Sequence, residues 1–277
     1  MKLCLIQLDL AYGDPPENMN RIAEKVARAA RDKPDVVVLP EMWNTAYNFR
    51  ELDRQADPEG QNTRKLLREL ALTYHIHLVG GSVAEKRDRG IYNCTYVYNR
   101  QGKETAVYRK VHLFRLLEED KFLTPGDALT MYDVEEARVG AAICYDLRFP
   151  EMFRHYALKG ANMVIIPAQW PNPRLSHWRQ LLIARAIENQ LYVVGCNRVG
   201  SGGDHTFFGH SMVVSPWGDV LIEGKEEESI LTVEVDLDEV ERVRENIPVF
   251  QDRRADLYGG CNVGPNGLQG SRERLRR

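Results

Sequence analysis

The sequence predicts an α/β fold built as a four-layer α-β-β-α sandwich. Three observations lead there: amphipathic helices alternate with short, mostly apolar strands in the first half, the same order returns in the second half, and hairpins close each run. Lys2 to Leu8 alternates as a strand does. Asp14-Pro15-Pro16-Glu17 then supplies a capping side chain, proline in the first turn and an acid three residues after the cap. A helix follows over Asn18 to Lys33, with Ile22, Val26 and Ala29/Ala30 at helical spacing. Pro34 ends it before the apolar strand Asp35 to Leu39, which completes a βαβ unit. Thr63 to His75 repeats the helical pattern through Leu66, Leu67 and Leu70, and His77 to Ser82 is a strand. Tyr92 to Tyr98 and Thr105 to His112 flank the turn 99–103 as a hairpin.

In the second half Arg138 to Cys144 is a strand and Pro150 to Lys159 a helix stopped by Gly160. Asn162 to Pro167 is a strand and Ser176 to Asn189 an amphipathic helix. Leu191 to Cys196, His210 to Ser215, Asp219 to Glu223 and Ile230 to Val235 are strands, two of them joined by the turn Pro216-Trp217-Gly218. No linker divides the chain, so 1–277 reads as a single domain. Its last part, 238–277, begins with a short charged helix (Asp238 to Glu245) and is an extension that frays or docks on a partner subunit.

Composition narrows the function classes. The 277 residues are 43% hydrophobic and 28% charged, which suits one large globular core. With 37 basic and 40 acidic side chains the net charge is -3, so no overall positive field calls for a nucleic-acid partner; the basic stretch Ser271 to Arg277 reads as a solvated terminus. No apolar run approaches the roughly 20 residues of a membrane span. Met1 to Leu10 is broken by Asp9 too early for a signal peptide, so a cytoplasmic location is expected. Cys4, Cys94, Cys144, Cys196 and Cys261 are odd in number and far apart. With no Cys/His ligand pair, they read as reduced thiols without a disulfide framework or metal.

Three segments can carry chemistry. Glu41 follows the apolar run Val36 to Pro40, at the carboxyl end of a strand, where α/β folds gather ligands; a solvated loop glutamate is the alternative. Cys144 follows the small apolar strand Val139 to Ile143 and precedes a helix opening at Pro150. At such a turn a thiol can be exposed while backbone N–H groups face a substrate oxygen; a buried inert cysteine is the other reading. Lys110, near the end of the hairpin, is either solvated or reaches Cys144, where its charge favours the thiolate and steadies an oxyanion.

The segments LPEMW around Glu41, RKVHLF around Lys110 and ICYDLRFPE around Cys144 resemble the three signature regions of the nitrilase superfamily of carbon–nitrogen hydrolases. The resemblance runs from Lys2 to about Val235 and takes in the segment from Ile165 to Trp170 and the helix 184–190. It implies a Glu41-Lys110-Cys144 triad on this sandwich, a thioester intermediate, no cofactor or metal, and homodimers or larger homo-oligomers. It also implies a second glutamate after the lysine, best matched by Glu119, with Glu118 one residue away. Tyr145-Asp146 after the nucleophile disfavours true nitrilases. Together with 170–174 and 195–200 it is similar to the bacterial omega-amidase group, whose substrates are omega-amides of dicarboxylic acids such as 2-oxoglutaramate. An N-carbamoyl amidohydrolase using the same triad is the alternative.

A substrate of this kind needs a receptor for its carboxylate. Arg148 and Arg174 are the candidates, although Arg148 can instead brace its turn by pairing with Asp146 or Glu151. The Tyr145 N–H is a candidate oxyanion donor. Trp43, Tyr47 and Trp170 either wall the pocket or pack the core.

Overall fold

The computed structural model describes residues 1–258. Cys261 and the basic tail lie outside the described residues. Two compact units divide the chain: Met1–Val243, which carries both sheets, and a second that begins at Arg244.

The first half contributes strands β1 (Lys2–Gln7), β2 (Val36–Val38), β3 (Asp57–Pro58), β4 (His77–Val79), β5 (Val83–Arg87), β6 (Gly90–Tyr98) and β7 (Glu104–Arg109). The second contributes β8 (Met131–Val134), β9 (Ala137–Ala141), β10 (Met163–Ala168) and β11 (Tyr192–Asn197). A two-stranded hairpin, β12 (Val199–Gly202) and β13 (His205–Phe208), follows, and then β14 (Met212–Val214), β15 (Val220–Glu223) and β16 (Ser229–Glu234). One sheet has the order β16-β1-β2-β4-β6-β5-β3, with β7 paired to β6; the other runs β15-β14-β11-β10-β9-β8. β1, β2 and β4 are parallel, as are β9, β10 and β11. β16 returns from the second half to the first sheet, pairing antiparallel with β1 from Lys2↔Glu234 to Gln7↔Ser229.

Helices α1 (Pro15–Ala29), α2 (Leu52–Gln55), α3 (Gln61–Tyr74) and α4 (Glu119–Phe122) belong to the first half; α5 (Pro150–Leu158), α6 (Leu175–Asn189), α7 (Asp238–Asn246) and α8 (Ala255–Tyr258) follow. Asp14 caps α1 by accepting from the Glu17 N–H, as its sequence position predicts. α1 and α3 cover the outer face of the first sheet, burying Ile22, Val26, Leu67 and Leu70 against Cys4, Ile6, Val37 and Leu78. The inner faces of the two sheets meet: the Cys196 thiol on β11 lies 3.4 Å from the carbonyl oxygens of both Ile6 on β1 and Val38 on β2. Burial pushes this thiol far up, so it is a neutral packing group.

The strand ends differ from the sequence expectations by a few residues, and five strands, β3, β5, β8, β12 and β13, were not expected. β5 carries Glu85, Lys86 and Arg87, yet it pairs along β6, because buried Glu85 is held by Arg87 at 2.8 Å and Arg109 at 2.9 Å. β3 is two residues long, β8 is short, and β12–β13 is rich in glycine. No described helix is long and apolar enough to cross a membrane.

Candidate active site

Glu41, Lys110 and Cys144 come together, although 69 residues separate the first two. Glu41 sits just past β2 on a turn pressed against residues 80–82. There Gly81 has φ +60°, and a Cβ on it would lie 2.0 Å from the Pro40 carbonyl oxygen, so no larger residue fits. Ser82 completes the clamp, donating its N–H to Pro40 O and receiving the N–H groups of Met42 and Trp43 on its Oγ and O. Lys110 follows β7, its N–H bonded to Asn93 O at 2.9 Å across the hairpin.

The Lys110 ammonium is fully buried between two carboxylates, 2.8 Å from Glu41 Oε1 and 2.8 Å from Glu119 Oε1. Glu119 on α4 is buried and also accepts the Tyr47 hydroxyl and the Phe114 N–H. Glu118 is exposed and pairs with Lys121, so Glu119 is the glutamate of the cluster. Burial disfavours the ammonium, but the two carboxylates outweigh it and hold Lys110 well above its ordinary value. Burial raises the Glu119 carboxyl against the pull of Lys110, and Glu41 adds to the rise.

The thiol departs from expectation. Cys144 is 4% exposed, and burial with the Glu41 charge pushes its thiol well above the ordinary value, outweighing the Lys110 ammonium. Lys110 alone was expected to favour the thiolate. With two carboxylates around one ammonium, the resting group is a neutral thiol that needs a base. Cys144 occupies the left-handed region at φ +46°, a conformation that non-glycine residues keep only where the surroundings over-determine it. Asp146 supplies that constraint. It is fully buried and accepts from the Ile143 N–H, the Tyr108 hydroxyl and the His112 N–H, with the His112 ring at 2.8 Å. The His112 ring in turn stacks on Phe149 with centroids 3.6 Å apart. The turn of the thiol is thereby fastened to the strand end that bears Lys110.

Beside the thiol lies an aromatic and cationic wall. Tyr145 packs on Phe114 (centroids 4.7 Å apart) and against the edge of Phe149. Arg148 lies 4.8 Å over the Trp170 ring and Arg174 5.7 Å from the Phe114 ring. Arg148 pairs with neither Asp146 nor Glu151; among the described residues its hydrogen-bond neighbour is His177 Nδ1, at 3.3 Å. Arg174 donates to the Asn172 carbonyl, and neither arginine has a carboxylate partner among the described residues. Burial and the nearby Arg174 depress the Arg148 guanidinium, while Tyr145 and Cys144 pull the other way. Tyr47 stacks on Phe49 and lines a cleft of about 500 Å³ with Phe122 and His205. Trp43 must be corrected: it is fully buried in the core under α1 and α3, its indole N–H donating to Gly80 O. The turn that presents Glu41 sends the tryptophan inward, so Trp43 is not a wall of the pocket.

Asn93, Gln169 and Asp146 touch the cluster without having been assigned a role from sequence. Gln169 gives its backbone N–H to Glu41 Oε2 and its side-chain amide to Glu41 O, both at 2.7 Å. It is steadied by the buried Arg198, which also reaches Asp9 at 2.7 Å. Their signal was a polar residue inside or just past an apolar strand, visible in sequence but without a partner there to explain it.

Residues 2–245 match the model of the carbon-nitrogen hydrolase family. The chain belongs to this family. This carbon–nitrogen hydrolase is 45% identical over 253 residues to a 2-oxoglutaramate amidase of Bacillus subtilis (strain 168), covering 91% of this chain and 97% of that one. It is 35% identical to the human omega-amidase NIT2 over 267 residues, covering 93% of this chain and 96% of the relative. Among solved structures, Saccharomyces cerevisiae Nit3, a member of branch 10 of the nitrilase superfamily, superposes with a TM-score of 0.86 at 32% identity, over 92% of this chain and 96% of that one. A mutant amidase from Nesterenkonia sp. AN1 has a TM-score of 0.82 at 27% identity, covering 93% of this chain and 95% of that one. It carries the acetamide moiety of fluoroacetamide added covalently at its active-site cysteine. This carbon–nitrogen hydrolase thus has the α-β-β-α sandwich of its superfamily and is a hydrolase acting on carbon–nitrogen bonds.

Proposed function

We propose that the chain is an omega-amidase that hydrolyses the terminal amide of small dicarboxylic acid monoamides, 2-oxoglutaramate foremost, to the acid and ammonia. The observation that carries this reading is the neighbouring pair Arg148 and Arg174, two guanidinium groups without carboxylate partners among the described residues, the first of them within electrostatic reach of the Cys144 thiol. An uncompensated, partly buried cation is relieved by an incoming carboxylate, which charge-assisted hydrogen bonds then hold in register. The named activities of the Bacillus subtilis and human relatives support the same substrate class.

The chemistry follows from the cluster. The Cys144 thiol gives its proton to Glu41 as Sγ attacks the amide carbon. The carbonyl oxygen becomes an oxyanion facing the Lys110 ammonium and the Tyr145 N–H. The carbon–nitrogen bond then breaks, the Glu41 proton leaves with nitrogen as ammonia, and a thioester remains. Water attacks the thioester and returns a proton to Glu41. The carbon–sulfur bond breaks, that proton restores the thiol, and the carboxylic acid departs. Lys110 stays charged throughout and holds the two glutamates in place. The enzyme acts as a homo-oligomer in this reading, without cofactor or metal.

Release of ammonia and carbon dioxide from 2-oxoglutaramate, succinamate, glutamine and an N-carbamoyl amino acid tests it. Ammonia from 2-oxoglutaramate without carbon dioxide is expected; carbon dioxide with ammonia from the carbamoyl compound alone would replace the reading with an N-carbamoyl amidohydrolase. Arg148→Ala is expected to raise KM for 2-oxoglutaramate about 10- to 100-fold while changing KM for an uncharged short amide less than about threefold. Equal effects on both substrates would remove Arg148 from the carboxylate site.

A further inference from the structure

We propose that Asn93 is the positioning residue of the base: its side-chain amide aims the Glu41 carboxylate at the Cys144 thiol while its backbone carbonyl anchors Lys110. The inference rests on the reading of Glu41 as general base and adds a residue to it.

Asn93 lies on β6, where side chains alternate between two faces. Cys94, Tyr96 and Tyr98 enter the core under the helices, and Asn93 points the opposite way, toward the cluster between the sheets. It is 1% exposed. Its Nδ2 donates to Glu41 Oε1 at 2.8 Å, the same oxygen that receives Lys110 Nζ, and its carbonyl accepts the Lys110 N–H at 2.9 Å. One residue therefore sets both the carboxylate and the strand end that bears the ammonium.

The other half of the amide shows what Asn93 is kept for. Asn93 Oδ1 is buried and has no hydrogen-bond partner among the described residues. Turning the amide over would set Oδ1 against Glu41 Oε1, two acceptors face to face, so Glu41 dictates the orientation and Oδ1 is left unmatched. An unmatched buried acceptor lowers stability, and an apolar residue would avoid it. The arrangement makes sense where the donor on Glu41 matters more than the loss. With the Gln169 N–H on Oε2, the donors hold the carboxylate by both oxygens. The charged or titratable groups facing Glu41 are Lys110, Glu119, Cys144 and Tyr47.

The test is the pH dependence of kcat/KM for ammonia release by wild type, Asn93→Ser and Asn93→Asp. Asn93→Ser replaces the amide donor with a hydroxyl one bond shorter, which falls short of Glu41 Oε1; kcat is expected to fall about 10- to 100-fold with KM within about threefold, and the acidic limb to move upward because the carboxylate form has lost a hydrogen bond. Asn93→Asp keeps the shape, so the limb can be read even where the serine variant fails to fold. It places two carboxyl groups at hydrogen-bond distance, which share a proton, and the acidic limb is expected to rise by about one pH unit or more. A merely structural role would lower the amplitude and leave the limb in place, so limbs that superpose on wild type overturn the proposal. Cys144→Ala in the same assay separates the two readings: turnover without the thiol removes the triad itself, whereas a dead Cys144→Ala beside unshifted limbs removes Asn93 alone.

Discussion

Cys144→Ala is expected to lower kcat for ammonia release by at least about 10⁴-fold while the protein stays folded. The size follows from the roles of the cluster. In the proposed mechanism Glu41, Lys110 and Glu119 hold charges and protons, but sulfur alone forms a bond to carbon, and without it the remaining groups have only a bound amide and water to work on. The folding expectation follows from burial: the thiol is enclosed and pushed well above its ordinary value, so it is a neutral group whose removal leaves no charge unpaired. Mass spectrometry of acid-quenched wild type during turnover is expected to reveal a population heavier by the acyl group, absent from the alanine variant. Retained turnover in that variant would show that the chemistry does not pass through this sulfur.

Lys110→Met is expected to abolish activity and to cost about 3–5 kcal/mol of stability at neutral pH, because it removes one partner from a buried cluster and leaves two carboxylates without their cation. The loss depends on pH in a definite direction. Burial already raises the Glu119 carboxyl in the folded protein, and losing Lys110, which pulls it down, raises it further. A carboxyl whose folded value lies above its unfolded one, about 4.3 for glutamate, binds more protons in the folded state between the two values. Its contribution is therefore fully present below the unfolded value and lost as pH rises through the folded one. Urea denaturation of both proteins at pH 5.5 and pH 8 is expected to show the larger deficit at pH 8. A deficit equal at both pH values would mean that the carboxylates find other partners when the ammonium is gone.

The layer order was legible because local signals agreed with tertiary demands. Asp14 and Pro15 start α1, Val36 to Val38 form a strand buried on both faces, and Gly160 stops the helix that begins at Pro150. The strands that escaped notice lack such signals. β5 is charged and is held by arginine partners on β5 and β7; β12–β13 is a glycine-rich hairpin tied to the rest by single bridges at Val199 and Phe207. Glu41 and Cys144 stood out because each follows an apolar strand, whereas Lys110, at the end of the mixed strand β7, was marked only by its place in the hairpin. Their supports did not, since Asn93, Asp146 and Gln169 acquire meaning from partners 34 to 128 residues away. Trp43 shows the opposite failure: being two residues from Glu41 says nothing about which way a side chain leaves a turn.

The two hydrogen bonds from Gln169 to Glu41 cross from one sheet to the other. Glu41 and Lys110 end strands of the first sheet, and Cys144 follows a strand of the second. The sulfur and its proposed base are thus neighbours only while the layers keep their lateral alignment. A slip of one sheet over the other by the width of a side chain would leave every strand and helix intact and the reaction impossible. Turnover in this fold gauges the seating of the two halves, a quantity to which the content of secondary structure is blind.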